Sequence, residues 1–501
     1  MTRHLDVRPG AYHDSVTLMQ VSRTVNDEPG VNAALVAMAT ELNLDLLAGM
    51  GFHAPESAGP NDLLVALDAA DDDALSRAQA RVDAALTERA RPAAVSSGNG
   101  PAAHTIGTAA RNASGTPPTV AFVSTPGTSA FVDAVDALDH ELPVIVFSDN
   151  VPLEQEIRLK QLASQRDLLV MGPDCGTAVI GGVGFGFANV VRPGPVGLVA
   201  ASGTGAQHVM SLVDAAGVGI SHCLGVGGRD LSDAVGGIST ITALDMLAAD
   251  DTTEVIAVVS KPPDPEVAKR VRAHADALGK PVLFALMGED QPDLTMAARS
   301  VVEAAGAEWT EPGSWTPSAP ETGTGGYLRG LFAGGTLCDE AMVIASSALG
   351  PIRSNIPLRP EWAIDGDLHT GRLDGHAMID FGDDELTRGR PHPMIDGSLR
   401  AERMVVEAAD PACGVILLDV ILGHAAHPDP ASELAPAIID ARNRARADGR
   451  QLDVVVSLTG TSDDPQDLNG QGSRLAEAGA SVYLSNAAAA RAAVELAGGQ
   501  P

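Results

Sequence analysis

The sequence predicts a multidomain α/β protein built on doubly wound parallel sheets, with a small α+β domain at its N-terminus. Three observations carry that prediction. The chain has 501 residues, and at about 100–200 residues per domain it calls for three or four of them. From Thr119 onward, short continuous apolar runs alternate with helical patterns, as strands do when crossover helices cover both faces of a parallel sheet. Two stretches rich in Pro, Gly, Ala, Ser and Thr, residues 91–118 and 311–326, lack periodicity and read as linkers.

Taken in order, residues 15–21 read as an extended apolar segment, 31–39 as a second and 63–67 as a third strand. Helices are predicted at 41–50 and 71–87, the latter with Asp71, Asp72 and Asp73 in its first turn, where the helix dipole favours negative charge. These elements and the linker make up a domain of residues 1–115. Strands at 119–124, 143–148 and 168–171 define a second domain, 116–192. Strands at 196–200, 222–226, 255–259 and 282–285 define a third, 193–325, which opens at the break Arg192-Pro193-Gly194-Pro195. The fourth, 326–501, has strands at 342–345, 415–418, 453–457 and 480–484 and ends in an Ala-rich amphipathic helix at 487–497.

Composition excludes several function classes. Lys plus Arg number 33 and Asp plus Glu 65, a formal net charge of −32. That field repels phosphate backbones and anionic membranes, so neither nucleic acid nor membrane is an expected partner. Aromatics are 3% of the chain, too few for a stacking platform. An anionic ligand must therefore be gripped locally. Only Lys160, Lys261, Lys269 and Lys280 are lysines, so nearly all positive charge is arginine. Cys175, Cys223, Cys338 and Cys413 lie far apart with no CxxC pair, which predicts neither a zinc site nor a disulfide framework. No run approaches the roughly 18 apolar residues of a membrane span. The first residues carry charge where a signal peptide needs an apolar core. The expectation is a soluble cytoplasmic protein.

Four motifs offer chemistry. Ser202-Gly203-Thr204-Gly205 follows the strand at 196–200 and opens a helix to about residue 216. Small residues let the backbone approach a ligand, and free N–H groups with the helix dipole attract an anion. The plain alternative is an ordinary Ser/Thr cap. Asp396-Gly397-Ser398 opens another helix, with Arg400 on its first turn. Two such N-termini from similar domains could converge on one anion. Asp419, His424, His427 and Asp429 cluster just past the strand at 415–418, where open α/β sheets place ligands. Histidine suits proton transfer or phosphoryl capture there. The alternative is a polar capping loop, and no third ligand at clear spacing favours a metal. Finally, Asp174-Cys175-Gly176 follows a strand; Cys175 is a nucleophile only if a basic neighbour lowers its pKa, and otherwise lines a pocket.

With these residues in view, the chain resembles the FdrA family, distant relatives of succinyl-CoA synthetase. The run MGPDCGT at 171–177 and the stretch from Gly194 through Ser202-Gly203-Thr204 to Gly228 resemble the synthetase α-subunit. GLFAGGTLCDEA at 330–341, Ser354-Asn355, HPMIDGSLR at 392–400 and GHAAHPDPA at 423–431 look specifically FdrA-like. The resemblance implies Rossmann-like and flavodoxin-like sheets of the synthetase type, with a CoA-binding-like domain at 116–192 and ligase-like domains of α type at 193–325 and β type at 326–501. It also implies an activity, that of an oxamate carbamoyltransferase subunit in allantoin degradation. Such an enzyme phosphorolyses oxalurate to oxamate and carbamoyl phosphate and works with companion subunits.

The departures from the synthetases shape the expected site. Their loop histidine in a GHAGA motif has no counterpart here, since the region after residue 287 reads GEDQPDLTMAARS. No segment is left over for a nucleotide-binding ATP-grasp domain. By this resemblance phosphate sits between Ser202–Gly205 and Asp396–Ser398, with Ser354, Asn355 and Arg400 as further binding residues. His427 moves the proton, oriented by Asp429 or Asp419, with His424 beside it. Asp174, Cys175 and Gly176 line the pocket. Phosphate or carbamoyl phosphate is the expected ligand, no tightly bound cofactor is expected, and CoA is a doubtful one. The alternatives are an NDP-forming acyl-CoA synthetase that borrows a nucleotide-binding partner, and a non-catalytic scaffold. Homo-oligomers are open.

Overall fold

The computed structural model describes residues 2–11, 13, 15–55, 58–89, 103–113, 116–288, 290–317, 325–387 and 391–499. The expected linkers lie partly outside them.

The N-terminal unit comprises β1 (Thr2–Arg8), α1 (Ser15–Asn26), β2 (Val31–Met38), α2 (Glu41–Gly49), β3 (Leu63–Ala69) and α3 (Asp72–Arg89). Its strands form an antiparallel sheet in the order β1-β3-β2. The expected strand at 15–21 is a helix instead. Leu18, Val21, Ser22 and Val25 are buried, and that spacing of three and four residues is the helical one. The sequence LLVALDA of β3 is buried along its whole length, as a central strand covered on both faces must be.

The chain continues through α4 (Ile106–Asn112), β4 (Ala121–Val123), α5 (Gly127–Asp139), β5 (Val144–Val146), α6 (Leu153–Ser164) and β6 (Val170–Met171). Here β4-β5-β6 form a small parallel sheet. Next come β7 (Thr177–Ile180), β8 (Val183–Gly186), β9 (Pro193–Ala201), α7 (Gly203–Ala215), β10 (Ile220–Gly225) and α8 (Ile238–Ala249). They are followed by β11 (Val255–Ser260), α9 (Pro265–Ala275), β12 (Val282–Leu286) and α10 (Leu294–Ala304). Among the described residues these strands make a sheet of order β12-β11-β9-β10-β7-β8. It is parallel except that the β7–β8 hairpin runs against β10.

The last part holds β13 (Ser314–Trp315), β14 (Tyr327–Phe332), α11 (Gly335–Leu349), β15 (Ile352–Ser354), β16 (His376–Asp380), α12 (Asp384–Thr387) and α13 (Ser398–Ala409). It ends with β17 (Cys413–Ile421), α14 (Pro430–Ala447), β18 (Asp453–Thr459), α15 (Leu468–Glu477), β19 (Ala480–Tyr483) and α16 (Asn486–Leu496). The sheet order is β13-β19-β18-β17-β14-β16-β15, parallel but for β13. The strand expected at 342–345 lies inside α11. Met342 and Ala345 of that run are buried because the helix has both its own sheet and the neighbouring sheet's helices against it.

Helices α7 and α10 pack against α11 and α16, so one apolar core spans both large sheets. Every residue of α7 from Gly205 to Asp214 is buried. His208 fastens this helix to the other sheet, with Nδ1 2.8 Å from Thr459 Oγ1 and Nε2 accepting the N–H of Asn486 at 3.3 Å. Burial pushes its imidazole down to about 4, so it is neutral and can accept that bond. The joint sets the carboxyl edges of the two sheets against each other, and loops at such edges form ligand crevices.

Candidate active site

Two helix N-termini meet at this joint. At the first, the Ser202 side chain caps α7 by accepting the Gly205 N–H at 3.0 Å. At the second, Gly334 precedes α11 and offers no side-chain cap. The buried Asp419 fixes the turn just before the helix, accepting the N–H of Ala333 at 2.7 Å and of Gly334 at 2.8 Å. Ser202 Oγ lies 2.6 Å from Thr336 Oγ1, joining the two turns. The packing is reciprocal: a Cβ on Gly205 would meet Thr336 Cγ2 at 2.9 Å, and one on Gly334 would meet Thr204 Oγ1 at 2.9 Å. Each turn keeps a glycine where the other presents a threonine.

Asp419 therefore holds the turn between β14 and α11. Arg400 Nη1 binds it at 2.9 Å, and both side chains are buried. Burial raises the proton affinity of Asp419, opposed by Arg400 and the two N–H groups. The expected role of Asp419 in orienting His427 is not what these contacts provide, and Arg400 contacts this carboxylate and its backbone from a buried position.

Lys261 follows β11 and stands beside the second turn. Its Nζ is 3.6 Å from Asp339 Oδ2. Desolvation of this partly exposed side chain opposes its charge, but Asp339 and Asp380 outweigh it and hold the ammonium above its ordinary value. Asp380 ends β16, where Asn355 clamps it through both backbone groups at 2.9 Å each. Ser354, buried one residue earlier, accepts the Ile356 N–H at 3.1 Å. A Cβ on Gly335 would meet Asp380 Oδ2 at 2.6 Å and Lys261 Nζ at 2.9 Å. Burial pushes Asp380 up to about 7 against the pull of Lys261, and Asp339 to about 6. A cluster of such displaced values in a crevice marks a candidate active site.

His392 lies on the other side of Asp380. A Cβ on Gly382 would meet His392 Nε2 at 3.0 Å and Asp380 Oδ1 at 3.1 Å. His392 Nδ1 accepts the Met394 N–H at 3.2 Å, which leaves the proton on Nε2. Burial, with Arg400 adding, pushes its pKa down to about 4.

Asp174 follows a cis Gly172–Pro173 bond. Its side chain is exposed, and its proton affinity is raised by desolvation against the neighbouring loops and by the like charges of Asp149 and Asp384, with Lys261 opposing. Cys175 is buried, and burial followed by Asp174 raises its thiol to about 12. That removes it as a thiolate nucleophile. Gly176 accepts the Phe187 N–H at 2.8 Å through its carbonyl.

The other sequence-selected residues gather elsewhere. Asp396 Oδ1 accepts the Ser398 N–H at 2.9 Å, and Gly397 donates to Glu433 Oε2 at 3.0 Å. Among the described residues Ser202 bonds to none of these three; its partner across the crevice is Thr336. His427 Nδ1 accepts the Asp429 N–H at 2.8 Å. The Asp429 carboxylate faces away, capping α14 and pairing with Arg474 at 2.7 Å. His424 is exposed, near Gly184. Arg23 of α1 docks here, 3.1 Å from Glu433 Oε1 and 3.9 Å from Asp396 Oδ1. Lys261 and Asp380 were missed by sequence reasoning, and Gly334-Gly335-Thr336 entered it only within the FdrA-like run at 330–341, with no role in the site. Available signals were a lysine just past a buried strand in a lysine-poor chain and a Gly-Gly-Thr run between strand and helix.

Comparison with known proteins adds the following. Residues 1–102 match the model of the AllF heavy metal-associated domain, 191–286 the CoA-binding domain and 331–496 the CoA-ligase domain. The chain is 37% identical to the uncharacterized protein YahF of Escherichia coli K12 over 501 residues, covering 96% of this chain and 95% of that protein. It is 24% identical over 162 residues to the α-subunit of the ADP-forming succinate–CoA ligase of Methanothermobacter thermautotrophicus, 32% of this chain and 54% of that one. Among solved structures, the dinucleotide-forming acetyl-coenzyme A synthetase 1 of Ca. Korarchaeum cryptofilum aligns over 75% of this chain and 82% of its own, with 17% identity and a TM-score of 0.25.

The domain architecture is thus that of a CoA-ligase-like enzyme. The CoA-binding match overturns the expectation that CoA is a doubtful ligand. Heavy metal is a different case. Residues 1–102 contain no cysteine, so the thiolates that soft metals prefer are missing, and among the described residues no three His, Cys, Asp or Glu side chains could hold a metal ion. No described helix is long and apolar enough to cross a membrane.

Proposed function

The chain belongs to the FdrA/AllF family, and from that premise we propose that it is an acyl-CoA-synthetase-like acid–thiol ligase that handles an acyl phosphate in the crevice between α7 and α11. The observation that carries this reading is the pairing of the two N-terminal turns through Ser202 and Thr336, with Lys261 beside them. The backbone N–H groups of the first turns have no intrahelical partners, and both helix dipoles aim at the same space. Lys261 adds a full positive charge in a chain of net charge −32. An acyl phosphate gripped there keeps its acyl carbon free for a thiol, and the CoA-binding match supports CoA as that thiol. A nucleotide-binding partner supplies the phosphoryl group.

A second reading is favoured by one observation. The loop after β12 has no histidine to carry a phosphoryl group. Carbamoyl phosphate is itself a mixed anhydride of the acyl-phosphate type, so phosphorolysis of oxalurate to oxamate and carbamoyl phosphate needs no such carrier. In this reading the chain is the oxamate carbamoyltransferase subunit and its companion subunits complete the site.

Calorimetric titration of the purified chain with CoA, phosphate and carbamoyl phosphate separates the two. Binding of CoA together with phosphate is expected for the ligase. Carbamoyl phosphate binding without a CoA response moves the conclusion to the carbamoyltransferase, and no binding of any of the three removes both.

A further inference from the structure

Asp380 is 5% exposed, and its two oxygens have different surroundings. Oδ1 accepts the Gly382 N–H at 2.9 Å. Oδ2 accepts no hydrogen bond among the described residues and points to the space over Gly335, where Lys261 Nζ also points. Lys261 is tied only loosely, by its 3.6 Å contact with Asp339. Its side chain is 42% exposed, so an incoming anion can reach it. A cation and an unfilled carboxylate oxygen thus share the glycine-floored entrance to α11.

Resting on the acyl-phosphate reading, we propose that Lys261 and Asp380 are a catalytic pair. Lys261 binds the phosphate oxygen at the α11 turn, and Asp380 takes up a proton as the anion arrives and later passes it to the leaving oxygen. The step balances. A thiol sulfur forms its bond to the acyl carbon as the carbon–oxygen bond to phosphate breaks. The electron pair of that bond stays on the phosphate oxygen, which receives the Asp380 proton, and the thiol proton returns to Asp380.

The surroundings fit the exchange. Lys261 after β11, Asp339 on α11, Asp419 on β17 and His392 before α13 face Asp380. With its pKa pushed up to about 7, Asp380 changes charge near neutrality. An anion bound beside it raises its proton affinity further, because like charge opposes ionisation. Binding therefore draws in a proton.

Sulfate is the probe, since its charge stays constant over the range used. Calorimetry at about pH 7.5 in two buffers of different ionisation enthalpy reads affinity and proton uptake together. The expected result is sulfate binding with net proton uptake by the wild type. Lys261→Met should weaken binding about 10- to 100-fold, as loss of a charge-assisted bond does, and Lys261→Arg should recover part of it. Asp380→Asn should bind sulfate with no proton uptake. Unchanged affinity in Lys261→Met, or unchanged uptake in Asp380→Asn, overturns the pair while CoA and phosphate binding by the wild type leave the ligase reading standing. A wild type that binds neither sulfate nor phosphate overturns both. Circular dichroism of each variant confirms the fold, and the proton arm does not depend on the Lys261 variants.

Discussion

Ser202 Oγ and Thr336 Oγ1 lie 2.6 Å apart, and through them the first turns of helices from two different sheets become one unit. Both residues are buried, so Ser202→Ala leaves the Thr336 hydroxyl without this partner, while in Thr336→Val the Ser202 oxygen keeps only the bond it accepts from Gly205 N–H. Ser202→Ala also removes the cap on Gly205 N and should cost about 1–2 kcal/mol. Thr336→Val should cost about 1 kcal/mol. The double variant should cost less than the sum, because each single change already breaks the bond between the two hydroxyls. Denaturant unfolding of all four proteins measures this, and strict additivity would mean the pair carries no coupling.

Gly335 has no room for a side chain on its Lys261 side. A methyl there would meet the Asp380 and Lys261 side chains at 2.6 and 2.9 Å, closer than real contacts allow. Both are side-chain ends that can swing away, so Gly335→Ala should fold and instead displace the charged groups. Phosphate affinity is expected to fall about tenfold or more, with little change in melting temperature. Equal affinity in the variant and the wild type would place the anion elsewhere.

Stability should fall as pH rises toward neutrality. Asp380 and Glu340 are pushed up to about 7 and Asp339 to about 6, in each case chiefly by burial. A carboxyl whose folded value exceeds its unfolded one favours folding fully below the unfolded value. That advantage is lost as pH rises through the folded value. Between about pH 4 and 7 these groups therefore work against the native state increasingly. His208 and His392, held down to about 4 by burial, act in the opposite direction up to about pH 6.5, but the three carboxyls outweigh them, and melting is expected at a higher temperature near pH 5.5 than near pH 8. Asp380→Asn should flatten the slope by an amount on the order of 1–3 kcal/mol. A wild-type curve that rises from pH 5.5 to 8 would show that other groups dominate.

Much of the architecture was legible because burial and local pattern agreed. The apolar runs at 255–259 and 453–457 became central strands, since a parallel sheet covered on both faces needs unbroken apolar sequence. Misreadings came where that link broke. Ser15–Asn26 carries β-branched residues, yet Leu18, Val21, Ser22 and Val25 face the core at helical spacing. The run at 342–345 looks like a strand because α11 is buried by two sheets' worth of neighbours. The site was half legible for a related reason. Ser202 announces itself as a cap after a strand, but its partner depends on how two domains dock. Nothing local distinguishes Gly334-Gly335-Thr336 from Asp396-Gly397-Ser398 as the opposing turn. Lys261 and Asp380 gain meaning only when β11 and β16 end at the same place.

The contact between Arg23 and the loop before α13 ties the N-terminal domain to the rest of the chain, and it should be measurable through His427. Arg23 reaches Glu433 at 3.1 Å and also donates to the Ile395 carbonyl. The imidazole of His427 is held below its ordinary value, first by burial and next by the Arg23 charge, while Glu433, Asp429 and Asp396 oppose. Arg23→Ala removes a positive neighbour and leaves Glu433 without it, and both changes favour the protonated ring. The His427 pKa should rise, read by NMR titration of the imidazole signals. The same change should cost about 1–3 kcal/mol, as breaking a partly buried charged contact does. It should also make the N-terminal domain easier to clip away in limited proteolysis. A pKa that stays put or falls would mean that Arg23 does not reach His427 in solution and that the domain docks by apolar contact instead.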